Sequence, residues 1–165
     1  MVKGRADIEP GSTLEWVAEH TNAARFSGTL KEAIVGADVF IGVSAGNLLD
    51  EHDIAKMAPG AIVFALANPN PEIEPSLAAK HAAVVATGRS DFPNQINNVL
   101  AFPGFFRGLL DAGSNVITEK MLLAAATALA SCVEASELNA SYIVPSVFHP
   151  DVTARVAEAV RKAAK

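Results

Sequence analysis

AIVFALANPNPE, residues Ala61 to Glu72, is a short apolar run with punctuation at both ends. Gly60 stands before it, and Pro69 and Pro71 break the chain on its far side. An apolar run of this length between breakers fits a strand buried in a parallel sheet. The prolines lack the N–H that a ladder needs, so pairing stops near Asn68. In open α/β sheets, ligands bind beyond the carboxyl ends of the strands. Asn68 therefore either caps the turn or offers its amide to a carboxylate, hydroxyl or ribose.

Outward from this run the same rhythm repeats. On its N-terminal side, Thr29 caps a predicted helix over 30–35, with Leu30, Ala33 and Ile34 on one face, and Gly36 ends it. A strand is expected over 39–43, VFIGV, and Asp50 precedes a helix that stops near Pro59. On the C-terminal side, a helix over 76–81 feeds a strand over 83–87. Strands alternating with short helices imply a parallel sheet with right-handed crossovers. The fold class is α/β: a partial Rossmann-like parallel sheet flanked by helices, with C-terminal helices, in one domain over 1–165. Gly42, Val43, Ser44, Ala45 and Gly46 close the first strand. Small residues there let a flat ring or ribose approach the backbone, or simply make a tight turn. Neither the G-x-G-x-x-G fingerprint nor a P-loop occurs in the chain.

A second stretch stands out by polarity. TGRSDFPNQINNVLAFPGFFRG, Thr87 to Gly108, packs Arg89, Asp91, Asn94, Gln95, Asn97 and Asn98 into ten residues before turning apolar. Asparagine is a poor helix former because its amide competes for backbone hydrogen bonds. One reading is a helix start, with Asp91 as N-cap and Pro93 in the first turn. That accounts for Asp91 and Pro93 but would bury the pair Asn97-Asn98 inside a helix. The other reading is a site that needs donors and acceptors at fixed positions, and a second Asn-bearing strand end favours it.

The remaining segments read as scaffold. Residues 1–13 form a loop, and Ser12 or Thr13 caps a helix over 14–20 in which Trp16 and Val17 face the protein and His20 favours the C-terminus. His52 and His81 face solvent. Leu100, Phe102, Phe105, Phe106, Leu109 and Leu110 form an apolar helical stripe punctuated by Pro103 and Gly104, with Gly113 as its end. Thr118 starts a helix, KMLLAAATALASCVEA, expected to be buried on most sides, with Cys132 inside it as an inert thiol. In the apolar loop 139–150, Tyr142 reads either as an acid–base or as packing, and His149 serves the next helix start. Asp151 caps VTARVAEAVRKAAK, whose inner face is Val152, Val156, Ala159 and Val160.

Composition narrows the partners. The 165 residues carry a formal net charge of −5 and an estimated pI near 5.3, which argues against nucleic acid or an anionic membrane. Cys132 is the only cysteine, so no intramolecular disulfide forms. No apolar run approaches the ~18 residues of a membrane span, and MVKGRADIEPGS lacks a signal-like apolar core. The expected location is cytoplasmic.

GADVFIGVSAGNLL (Gly36–Leu49), FALANPNPE (Phe64–Glu72) and ATGRSDFPNQINNVLAFPGFFRG (Ala86–Gly108) resemble, in order and spacing, the cofactor-binding domain of malic enzymes, the bacterial type especially. The likeness runs over nearly the whole chain. It implies oxidative decarboxylation of malate to pyruvate with NAD or NADP and Mg²⁺ or Mn²⁺, in a homo-oligomer. By the resemblance, Asn68 and Asn97 contact malate and the nicotinamide end, Asn98 lies adjacent on the substrate side, and Val43, Ser44 and Ala45 line the dinucleotide. The family's catalytic tyrosine and lysine, its metal-binding acids, its Gly-rich turn and its ribose-binding acid all belong upstream of the matched region. The chain is thus expected to be a piece of a longer enzyme, in preference to a split subunit or an orphan domain, and inactive alone. The alternative is a non-catalytic Rossmann-like binding or assembly module. A glutamate-type dehydrogenase half-fold is disfavoured by Asn97-Asn98 followed by FPG. The missing ribose contact leaves NAD against NADP open.

Overall fold

The computed structural model describes residues 7–165, so residues 1–6 of the expected N-terminal loop lie outside the described residues. Strands β1 (Val39–Gly42), β2 (Ile62–Ala65) and β3 (Val84–Thr87) form one parallel sheet in the order β1-β2-β3. The register places Gly42 beside Ala65 and Ala65 beside Thr87, so the three carboxyl ends are level. Helix α1 (Thr13–His20) precedes the sheet, α2 (Leu30–Ala33) leads into β1, and α3 (Glu51–Ile54) and α4 (Pro75–Ala78) make the crossovers.

These connecting helices are single turns, shorter than their apolar patterns predict. Their starts are well specified. Thr29 with Glu32 and Asp50 with Asp53 form reciprocal capping boxes, which satisfy N–H groups that a helix start leaves orphaned. Lys31 reaches from α2 to both Asp50 and the buried Asp53, at 2.6 and 2.8 Å, and so ties α2 to the start of α3. Gly36 and Gly60 turn the chain in the left-handed region just before β1 and β2, at φ 71° and 79°.

One core cluster fills the covered face of the sheet. Ile34, Ile54, Val63, Ala65, Ile73 and Ala78 pack there, with Phe40 and Val85 half-buried beside them. On β2 the expectation of burial on both faces is corrected: Val63 and Ala65 are fully enclosed, while Ile62 and Phe64 are only half-buried. The neighbouring β1 presents Val39, Ile41 and Val43 openly, at 49, 61 and 77% exposure. Among the described residues, no helix buries that side of β1.

A second core belongs to α5 (Phe102–Asp111), α6 (Glu119–Ala130) and α7 (Val152–Ala163). Phe105, Met121, Val156 and Val160 meet in it, and each such buried side chain is worth about 1.5–3 kcal/mol of transfer free energy. Pro103 and Gly104 lie in the first turn of α5 and do not interrupt its pattern. Gly104 lets the backbone of α7 approach: a Cβ there would stand 2.7 Å from the Thr153 carbonyl oxygen.

Several smaller expectations also change. Trp16 is exposed and stacks on His20 at 4.4 Å, so it does not face the protein. Helix α6 buries only Met121 and Ala125; Leu122 and Leu123 face outward. Cys132 lies beyond the helix end, in a turn, although buried as expected. The Asp151 side chain makes no capping hydrogen bond; instead His149 Nδ1 accepts from the Asp151 N–H at 3.2 Å, which places His149 at the helix start. Among the described residues, no helix is long and apolar enough to cross a membrane.

Candidate functional site

The level carboxyl ends of β1, β2 and β3 place three loops along one edge of the sheet. Val43, Ser44 and Ala45 follow β1 and are exposed. Asn68 follows β2, exposed, one residue beyond the buried Ala67. Beyond β3, the chain doubles back against the strand. Gln95 bridges Thr87 in parallel, the Ile96 N–H donates to the Thr87 carbonyl at 2.9 Å, and Gln95 Nε2 donates to the Gly88 carbonyl at 3.4 Å. Asn97 then caps a 3₁₀ turn, Asn98–Leu100, its Oδ1 accepting from the Val99 N–H at 3.0 Å.

Gly88 is where these pieces meet. A Cβ on Gly88 would stand 3.5 Å from Asn68 Oδ1 and 3.8 Å from the Ile96 carbonyl oxygen. The β2 asparagine and the segment leading into Asn97 therefore flank one glycine at the end of β3. Among the described residues, the side chains of Asn68 and Asn98 make no hydrogen bond, and both are exposed. Amides left free at the carboxyl ends of parallel strands are the donors and acceptors that a small polar ligand requires.

The helix start expected at Asp91 and Pro93 is not formed; residues 90–94 are turns and bends. Asp91 pairs instead with the Arg89 guanidinium, Nε to Oδ1 at 2.9 Å, and that cation holds its carboxyl below the ordinary range. The Arg89 guanidinium also lies 4.9 Å above the Phe92 ring. Asn94 is not a ligand amide. It is buried, its Nδ2 donates to the Val85 and Ala140 carbonyls at 2.9 and 2.8 Å, and its Oδ1 accepts from the Ile143 N–H at 2.9 Å. It ties the motif to β3 and to the 140–143 loop.

Sequence reasoning missed Glu72. The side chain is fully buried, and its carboxylate accepts from the Ser44 N–H at 2.8 Å, the Ser44 hydroxyl at 3.3 Å and the Ala67 N–H at 3.1 Å. Gly42 packs directly on that carboxyl group, with no space for a Cβ. A Cβ on Gly46 would likewise stand 2.7 Å from the Asn70 carbonyl oxygen. The glycines of GVSAG thus let the β1 and β2 loops close on one another, and the Asn47 and Leu49 N–H groups complete the seam to the Pro71 and Glu72 carbonyls, both at 2.9 Å. The exposed Val43–Ala45 rim stands on this rigid floor. The only advance signal was the small-residue spacing itself, since a glutamate after two prolines reads as surface.

The residues are compatible with a dinucleotide: small exposed residues after β1 and, among the described residues, the unpaired Asn68 amide after β2. Among the described residues, no group of three or more His, Cys, Asp or Glu side chains is placed to hold an ion.

The family model "Malic enzyme, NAD binding domain" matches residues 1–165. The chain belongs to the malic enzyme NAD-binding domain family. Among its relatives, the NAD-dependent malic enzyme of Geobacillus stearothermophilus is 57% identical over 89% of this chain and 31% of its own length. The bifunctional malic/malolactic enzyme of Bacillus subtilis is 54% identical over 90% of the chain and 36% of its own. The Entamoeba histolytica malic enzyme structure superposes with a TM-score of 0.91 at 38% identity, covering 99% of this chain and 35% of that one. This malic enzyme domain thus spans about a third of the length of these relatives. Relatives named for NAD and for NADP both match, as with the NADP-dependent malic enzyme of Escherichia coli, 45% identical over 82% of the chain.

Proposed function

We propose that this chain supplies the nicotinamide- and substrate-facing part of an enzyme that converts malate to pyruvate and CO₂ with NAD or NADP and Mg²⁺ or Mn²⁺. The observation that carries the reading is the Asn68 amide and the segment leading into Asn97 flanking Gly88, in a chain of this family. Asn68, Asn97 and Asn98 would bind malate. Val43, Ser44, Ala45, Asn68 and Asn97 would hold the cofactor. A bound nicotinamide would supply the hydride acceptor, and a divalent metal the polarisation of the ketone that precedes loss of CO₂. The part of this chain is orientation. Free amides on a rigid floor can hold a hydroxy acid and a flat ring at reacting distance, an effect worth roughly 7–11 kcal/mol at its extreme. The acid, base and metal ligands would come from the upstream portion of the same enzyme, which is proposed to assemble as a cytoplasmic homo-oligomer.

Two measurements test the reading. The full-length polypeptide carrying this segment should reduce NAD or NADP in a malate- and Mn²⁺-dependent reaction, and Asn68→Ala or Asn97→Ala should each lower kcat/KM for malate about 10–1000-fold. The 165-residue chain alone should give no turnover. A full-length protein indifferent to malate, or an isolated chain with clear activity, would refute the proposal.

A further inference from the structure

We propose that Glu72 is a positioning residue for the nicotinamide cofactor, its buried carboxylate holding the two strand-end loops at a fixed separation. The inference rests on the function proposed above. Glu72 Oε1 accepts from the Ser44 N–H and hydroxyl, at 2.8 and 3.3 Å, and Oε2 from the Ala67 N–H at 3.1 Å. One oxygen therefore fixes the loop that carries Val43–Ala45. The other fixes the residue immediately before Asn68. Among the described residues no Lys or Arg pairs with this carboxylate, although it is fully enclosed. Enclosing an unpaired charge is costly, so a group needed only for packing would be better apolar. A carboxylate has one property that a neutral replacement lacks: both oxygens accept, and it carries no donor. Glutamine has the same shape, but its NH₂ must face the N–H of either Ser44 or Ala67. One loop is then released from the other, and the separation between the β1 rim and Asn68 is no longer set.

The test uses the full-length enzyme. Glu72→Gln should raise the Kd for NADH or NADPH, read directly by fluorescence titration of folded protein, about 5–50-fold, with a parallel rise in KM for the cofactor. A group that merely stabilises the fold would lower Tm and yield while the folded fraction bound cofactor with unchanged Kd, and that result overturns the proposal. Should Glu72→Gln fail to fold, Glu72→Asp decides. It keeps both acceptor oxygens but shortens the bridge by one methylene without touching the cofactor-facing residues, and a rise in Kd of about 2–5-fold supports the inference while no rise overturns it. Wild-type protein that binds neither cofactor would instead defeat the proposed function on which the inference stands.

Discussion

Asn94 sits at φ 56°, in the left-handed region that Asn tolerates better than most residues, and uses its whole amide on backbone partners in two other segments. Asn94→Ala would leave the Val85 and Ala140 carbonyls and the Ile143 N–H without partners. The expected loss is about 2–4 kcal/mol, read as a lower urea midpoint at unchanged slope. Cys132 makes a prediction of the opposite kind. Burial pushes its thiol above the ordinary value, so native protein should react slowly with iodoacetamide and denatured protein fast. Because the folded state holds this proton more tightly, its contribution to stability is complete below the ordinary thiol pKa of 9.0 and is lost as pH rises toward the raised value. These two roles differ in how far the sequence reveals them. A buried thiol in an alanine-rich apolar stretch is readable locally. The partners of Asn94 and Glu72 lie up to 49 and 28 residues away, so only the folded chain distinguishes Asn94 the tie from Asn97 the cap.

Elements are legible where a local rule decides them. Caps at Ser12, Thr29 and Thr118 and glycine turns at Gly36 and Gly113 stand where the sequence predicts them, whereas the cap expected at Asp151 is not formed. Helix length and burial depend on what lies opposite, which is why α3 is one turn and α6 is open on one side. The α5–α7 contact sharpens the point. Gly104 and Gly108 look unfavourable in a helix, each costing about 1 kcal/mol relative to alanine. Yet a Cβ on Gly108 would collide with the Ala157 carbonyl oxygen and lie 2.8 Å from Val160 Cβ. The obstruction is backbone of α7, which cannot rotate aside. Gly108→Ala should therefore destabilise by about 1–3 kcal/mol despite its better helix propensity, and thermal melting measures it. A rise in Tm would mean that α7 is free to shift.

At the scale of the molecule, the sheet is finished on one face and unfinished on the other. Ile41 is 61% exposed on β1, flanked by Val39 and Val43 on the same face, and Leu122 and Leu123 are exposed on α6. An exposed apolar row such as that of β1 is normally covered by a partner or by more chain. About two thirds of each relative's length lies outside the matched region, and on the function proposed above that upstream portion would supply the cover. Ile41→Lys separates the two contexts. In the 165-residue chain its side chain already meets water, so the substitution should change stability by no more than about 0.5 kcal/mol while reducing self-association and dye binding. In the full-length polypeptide the same position would be enclosed by the upstream layer, and an unpaired lysine there should cost about 2 kcal/mol or more. Thermal melts of both proteins, each against its own parent, give the comparison. Equal losses in the two would show that nothing upstream packs on this face, and that the exposed side of β1 serves some other contact.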